Sequence, residues 1–301
     1  MRALNELLHA SIDYAGLFPP AQLDMTTAVE NYARYLASDS AWALGRFIVP
    51  AAQLPELAEA AQRFRADPAG TPWSIAALAG SNRAGDQDHI RRFNAAHTAR
   101  GQVDTLELKA SSTAEIQRSM AEIPRQLQVY VEIPIDEDPA KLIEEIGRRG
   151  ARAKVRTGGV TRDAFPSPAQ LARFMARCVA SGVPFKATAG LHHPVRAEYR
   201  LTYEPGAPTG RMFGFLNLFI AAALLRAGLN LEGAEQVLEE SNPSAFQVEE
   251  NAIGWREHKL SLSDLKQLRE QVLISFGSCS FTEPLNELKA LHLLQPWPQQ
   301  A

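Results

Sequence analysis

Cysteine is scarce in this chain: Cys178 and Cys279 are the only two among 301 residues. Two cysteines make no disulfide framework, so a reducing, cytoplasmic setting is expected. An excess of either charge is also missing. Lys and Arg number 31 against 34 Asp and Glu, a formal −3, which argues against a nucleic-acid or membrane-surface partner. No long hydrophobic run occurs. The most apolar window, Phe213–Leu225, is too short to cross a bilayer and contains Asn217. It packs inside the chain or at the subunit interface of a homo-oligomer. The first residues carry Glu6 and Asp13 instead of a basic segment followed by an apolar one, so no signal peptide is expected. A glycine fingerprint for a dinucleotide is absent after the first expected strand, which weakens a doubly wound sheet.

What the chain does have is core-forming material. At 46% hydrophobic and 22% charged residues, it is long and apolar enough to bury a large interior. Short β-branched runs alternate with amphipathic segments. Strands are expected near Arg46, Ser74, Asp104, Gln128, Ala151 and Pro184, with weaker ones near Ala245 and Val272. Most spacings are about 25–30 residues, the length of one βα unit. Asp138-Pro139 and Ser167-Pro168 read as helix starts, and Gly150 and Gly182 as helix ends. The expected architecture is α/β, a single (β/α)8 barrel of TIM type over residues 46–301. Residues 1–45, with a helix over about 25–38, are expected to be an N-terminal helical extension capping one end. The 190–212 stretch is a long loop, expected to act as a lid or substrate loop.

Four of the expected strands place charges at alternate positions. Side chains on a strand alternate faces. One face therefore carries Leu106, Leu108, Val129, Val131, Ile133, Val155, Phe185 and Ala187. The other carries Glu107, Lys109, Tyr130, Glu132, Lys154, Arg156, Lys186 and Thr188. In a closed barrel the charged face points inward. Four cations then face two anions, and a positive interior calls for a small anionic ligand, a carboxylate or a phosphate. A purely structural ion-pair network is the alternative, at a higher desolvation cost than an aliphatic core.

Lys186 is the candidate nucleophile. A second lysine beside it, Lys154 on the neighbouring strand, would lower its pKa and free a neutral amine to attack a carbonyl. Glu132 is the candidate acid/base, and Glu107 could pair with Lys109. Lys109 and Arg156 would hold the anionic group. The glycine-rich turn at Gly277-Ser278, just before a helix opened by Thr282-Glu-Pro284, could help them, as could Gly158-Gly159. His192 and His193 follow the sixth expected strand and could move protons or touch substrate. Cys279 is a weak nucleophile candidate, because nothing in the sequence fixes a base beside it.

These residues carry a resemblance. Lys186-Ala-Thr-Ala-Gly190 is similar to the segment around the Schiff-base lysine of deoxyribose-phosphate aldolase-like barrels. Lys154-Val-Arg-Thr-Gly-Gly-Val160 looks like the segment supplying that family's second lysine and phosphate-binding glycines. The resemblance implies a class I aldolase or related lyase working without a cofactor. Phe185–Pro194 together with Ser275–Pro284 also looks like segments of an uncharacterised bacterial protein family, a likeness that carries no function.

Two other readings stay open. A metal-dependent isomerase or hydrolase could hold a divalent ion with Glu107, Glu132 or Glu249 and a histidine of the 192–193 pair. A non-catalytic anion-binding barrel would use the same cations without turnover.

Overall fold

The computed structural model describes residues 2–62, 72–97 and 101–294. The last stretch of the expected barrel, residues 295–301, lies outside them. Thirteen strands occur among the described residues: β1 Ile12–Tyr14, β2 Leu44–Pro50, β3 Trp73–Leu78, β4 Gly101–Lys109, β5 Gln128–Glu132, β6 Arg152–Arg156 and β7 Phe185–Thr188, then β8 Ala197–Arg200, β9 Thr209–Met212, β10 Phe246–Val248, β11 Ala252–Trp255, β12 His258–Ser261 and β13 Leu273–Ser278.

Eight of them close a parallel barrel in the order β1-β13-β7-β6-β5-β4-β3-β2, with β1 pairing back onto β2. The expected (β/α)8 barrel is therefore present. Its outward face is apolar, as the alternation requires: Leu106, Leu108, Val129, Val131, Val155, Phe185 and Ala187 are all buried. Ser167 closes a capping box with Gln170 ahead of the helix Pro168–Ser181, which ends on Gly182 at φ 61°. The helix Phe215–Arg226 is apolar all round and buried from Phe215 to Leu225 within the one chain. A helix apolar on every side belongs inside, so this segment presents no face that calls for a second subunit. No helix among the described residues is long and apolar enough to cross a membrane.

Two placements differ from the sequence expectation. The first barrel strand is Ile12–Tyr14, not the run beginning at Arg46. Residues 1–45 thus contain a barrel strand and the helix Met25–Leu36 that follows it, instead of standing apart as a cap. A three-residue strand with an aspartate at its centre is too short to show a period. The run near Ala245 is a strand, β10, but it belongs to an antiparallel sheet β10-β11-β12 outside the barrel. Alternation reports a half-buried strand and does not name its partner. The long 190–212 segment folds into the antiparallel hairpin β8-β9.

Candidate active site

Register sets the site. On adjacent parallel strands Lys109 lies beside Glu132, Glu132 beside Lys154, and Lys154 beside Lys186. With Glu107 and Asp13 between them, these side chains form a chain of alternating charge that runs from the mouth into the barrel. Lys186 Nζ sits 2.5 Å from Asp13 Oδ2 and 2.6 Å from Glu107 Oε1. Lys154 Nζ lies 2.8 Å from Glu107 Oε2 and 2.9 Å from Glu132 Oε2. Asp13 is the residue the sequence reading missed. Ser275 Oγ also donates to its Oδ2 at 2.7 Å, and the Arg46 amide to its Oδ1 at 2.8 Å. Gly45 makes room for it, since a Cβ there would fall 2.3 Å from Oδ1.

This geometry reverses the expectation for Lys186. Burial alone would pull its pKa down, but Asp13 and Glu107 outweigh burial and push it well above the ordinary lysine value. Lys186 is a locked ammonium, 1% exposed, with the Tyr130 ring 5.4 Å from its Nζ. Glu107 shows the reciprocal effect. Burial would raise its pKa, yet Lys154 and Lys186 pull it down to about 2. For Glu132, burial is again outweighed, here by Lys154 and Arg156, and its pKa falls below the usual carboxylate range. Three carboxylates and two ammonium groups make up the buried cluster, so the expected positive interior is absent. Its positive charge lies at the mouth, where the Lys109 and Arg156 side chains are exposed.

A cavity of about 230 Å³ opens above this cluster, below the roughly 300–1,000 Å³ of drug-sized ligand sites. The C-terminal ends of the strands and the loops after them form its wall. Of the expected site residues, Glu107, Lys154, Arg156, Gly159, Thr188, His192 and Gly277 line it. Ile48, Phe18 and Cys279 line it as well. Ala189, also on the wall, has φ 65°, a left-handed conformation that costs a non-glycine residue of order 1–3 kcal/mol and tends to occur at functional sites.

Other expected residues fall elsewhere. Lys186 sits beneath the cavity instead of on its wall. Lys109 pairs with Glu132 at 3.5 Å, not with Glu107. The Tyr130 hydroxyl is turned to Arg152, which donates to it at 3.0 Å. Gly158 is a packing glycine: a Cβ there would fall 2.4 Å from the Phe165 ring. Ser278 Oγ faces His192 Nδ1 at 3.3 Å. Gly277 and Ser278 are the last residues of β13 instead of a turn, and beyond them the Glu283 amide donates to Ser280 Oγ. The Glu283 carboxylate sits in that helix's first turn, where it disfavours a second anion.

The expected metal set does not form. Glu107 and Glu132 direct their oxygens at lysines, and Glu249 pairs with Lys259 beside β10 and β12. Among the described residues, His193, Glu283 and Glu287 do converge, with ligand atoms within 4.8 Å of one another. However, His193 Nδ1 and Glu287 Oε1 are 2.6 Å apart. That is a hydrogen bond, shorter than the roughly 3.3 Å between two ligands of one tetrahedral zinc.

A second constellation gathers around His192, whose Nδ1 lies 3.8 Å from Cys279 Sγ and 3.4 Å from Glu283 Oε2. The Tyr203 hydroxyl, from the hairpin's connection, is 3.4 Å from Cys279 Sγ and donates to Glu283 at 3.0 Å. Burial would lower the His192 pKa, but the hydrogen bonds to Cys279 and Glu283 prevail and push it up to about 9. No sequence spacing ties these residues together. Only the long loop gave a local signal for Tyr203. No protein-family model matches this chain, and no curated protein matches it either.

Proposed function

We propose that this barrel is an enzyme acting on a small anionic carbonyl compound, a lyase or aldolase working through a lysine imine, with Lys154 as the nucleophile. One observation carries the choice: of the two buried lysines, Lys154 lines the cavity and Lys186 does not. Lys186, held between Asp13 and Glu107, stays beneath the cavity and out of a substrate's reach.

In this reading the Lys154 ammonium, which lines the cavity, gives up its proton to water there, with Glu132 2.9 Å away to hold the amine in place. The amine attacks the carbonyl carbon, and the carbinolamine loses water to give an iminium. The iminium draws in the electrons of the Cα–Cβ bond as it breaks, Glu132 takes the proton of the β-hydroxyl that becomes a carbonyl, and that proton returns to the resulting enamine before water hydrolyses the imine and frees Lys154. Glu132 suits proton transfer better than Glu107, which is fully buried between two ammonium groups. Arg156 reaches Glu132 through Nε at 3.3 Å. Its terminal nitrogens at the mouth are the groups to hold a carboxylate. With Phe165 packed on Gly158 and Glu283 at the far turn, a carboxylate fits better than a phosphate.

The test is borohydride trapping with a panel of short aldehydes and 2-oxo acids, read by peptide mass spectrometry. An adduct on Lys154, lost in Lys154→Ala, supports the reading. An adduct on Lys186, or none on either lysine across the panel, counts against it.

A further inference from the structure

The His192 constellation plays no part in the lysine chemistry, yet it shares the same cavity. Cys279 and His192 both line that cavity. The thiol is not an isolated core cysteine, because His192 and Tyr203 approach it from separate parts of the chain and Glu283 holds both of them. His192 arrives after β7, Tyr203 from the connection between β8 and β9, and Glu283 from the helix Thr282–Ala290. Glu283 Oε2 accepts from the Tyr203 hydroxyl and lies 3.4 Å from His192 Nδ1. A base within reach of a thiol, itself held by a third group, is the general arrangement of an activated nucleophile. Cys178 is the contrast: buried in the helix Pro168–Ser181, its thiol is pushed up by burial alone.

We propose that Cys279 is a second nucleophile of this cavity, which captures the carbonyl carbon of a small aldehyde or 2-oxo acid as a thiohemiacetal, with His192 carrying the proton. The Cys279 Sγ–carbon bond forms as the carbonyl π bond opens. The thiol proton, held on His192, passes to the carbonyl oxygen. Nothing leaves and nothing is oxidised, so the step is complete with these groups and is reversible. Ser278 and Tyr203, 3.3 Å from His192 Nδ1 and 3.4 Å from Cys279 Sγ respectively, fix the two reacting side chains. The captured carbon cannot be an imine of Lys154 at the same time, so thiol and amine compete for a shared ligand.

This proposal stands independently of the Lys154 reading, because a thiohemiacetal is not a borohydride-reducible imine. The test is a time course of iodoacetamide alkylation on the native full-length chain at pH 7, resolved by peptide mass spectrometry, with glutathione as the reference thiol. Cys279 is expected to react at least about tenfold faster than glutathione, with Cys178 unreacted, and His192→Gln is expected to slow Cys279 about tenfold. Glyoxylate is expected to protect Cys279 in the wild type and at least as strongly in Lys154→Ala. The wild-type rate needs no variant to fold, and a Cys279 no faster than glutathione overturns the proposal. So does a rate that His192→Gln leaves unchanged, or one that glyoxylate does not slow.

Discussion

At the scale of single residues, the two buried lysines divide the work by their neighbours. Lys186 has a carboxylate on either side and no access to the cavity, while Lys154 has two carboxylates and an open wall. Lys186→Met would leave Asp13 and Glu107 buried without their shared ammonium and is expected to cost about 3–5 kcal/mol in urea unfolding. Lys109→Ala removes an exposed partner of Glu132 and should stay within about 1 kcal/mol. Equal losses in the two variants would contradict this account of the charge chain. Strand parity was enough to place Glu107, Lys154 and Lys186 on one inner face. It could not supply Asp13, whose strand is three residues long, so the expected charge balance and the expected state of Lys186 came out inverted.

Among the elements, the barrel strands that read clearly are those four or more residues long. Seven of the eight, β2 to β7 and β13, overlap or adjoin runs visible in the sequence. The eighth was legible only once the barrel closed, because closure is a property of pairing and not of any one segment. Glycines show the same limit. Gly182 could be placed at a helix end from its position alone, and it has φ 61° there. Gly158 looked like a phosphate-binding residue, yet its role depends on Phe165, from the turn that follows. Gly158→Ala must displace that ring, and the expected cost is about 1–3 kcal/mol in thermal unfolding. A neutral effect would mean that the ring can move and the glycine is there for a ligand.

For the whole molecule, the interior charge chain predicts how stability responds to acid. Glu107 has its folded pKa pulled down to about 2 from an ordinary 4.5. Such a carboxylate contributes fully above its unfolded pKa and loses that contribution as pH falls through the folded value. The thermal midpoint should therefore drop between about pH 4.5 and pH 2, with Glu132 acting in the same direction. Lys186 is raised instead, so its contribution persists throughout acid and fades only in strong alkali. A midpoint flat across the acid window would contradict the buried network.

The central claim is that Lys154 is the reactive amine of the cavity and Lys186 a fixed ammonium beneath it. Reductive methylation of the native chain with formaldehyde and a mild hydride, followed by peptide mapping of the two lysines, tests it without knowledge of the substrate. The account predicts methyl groups on Lys154 and none on Lys186. Methylation of Lys186 ahead of Lys154 would contradict it.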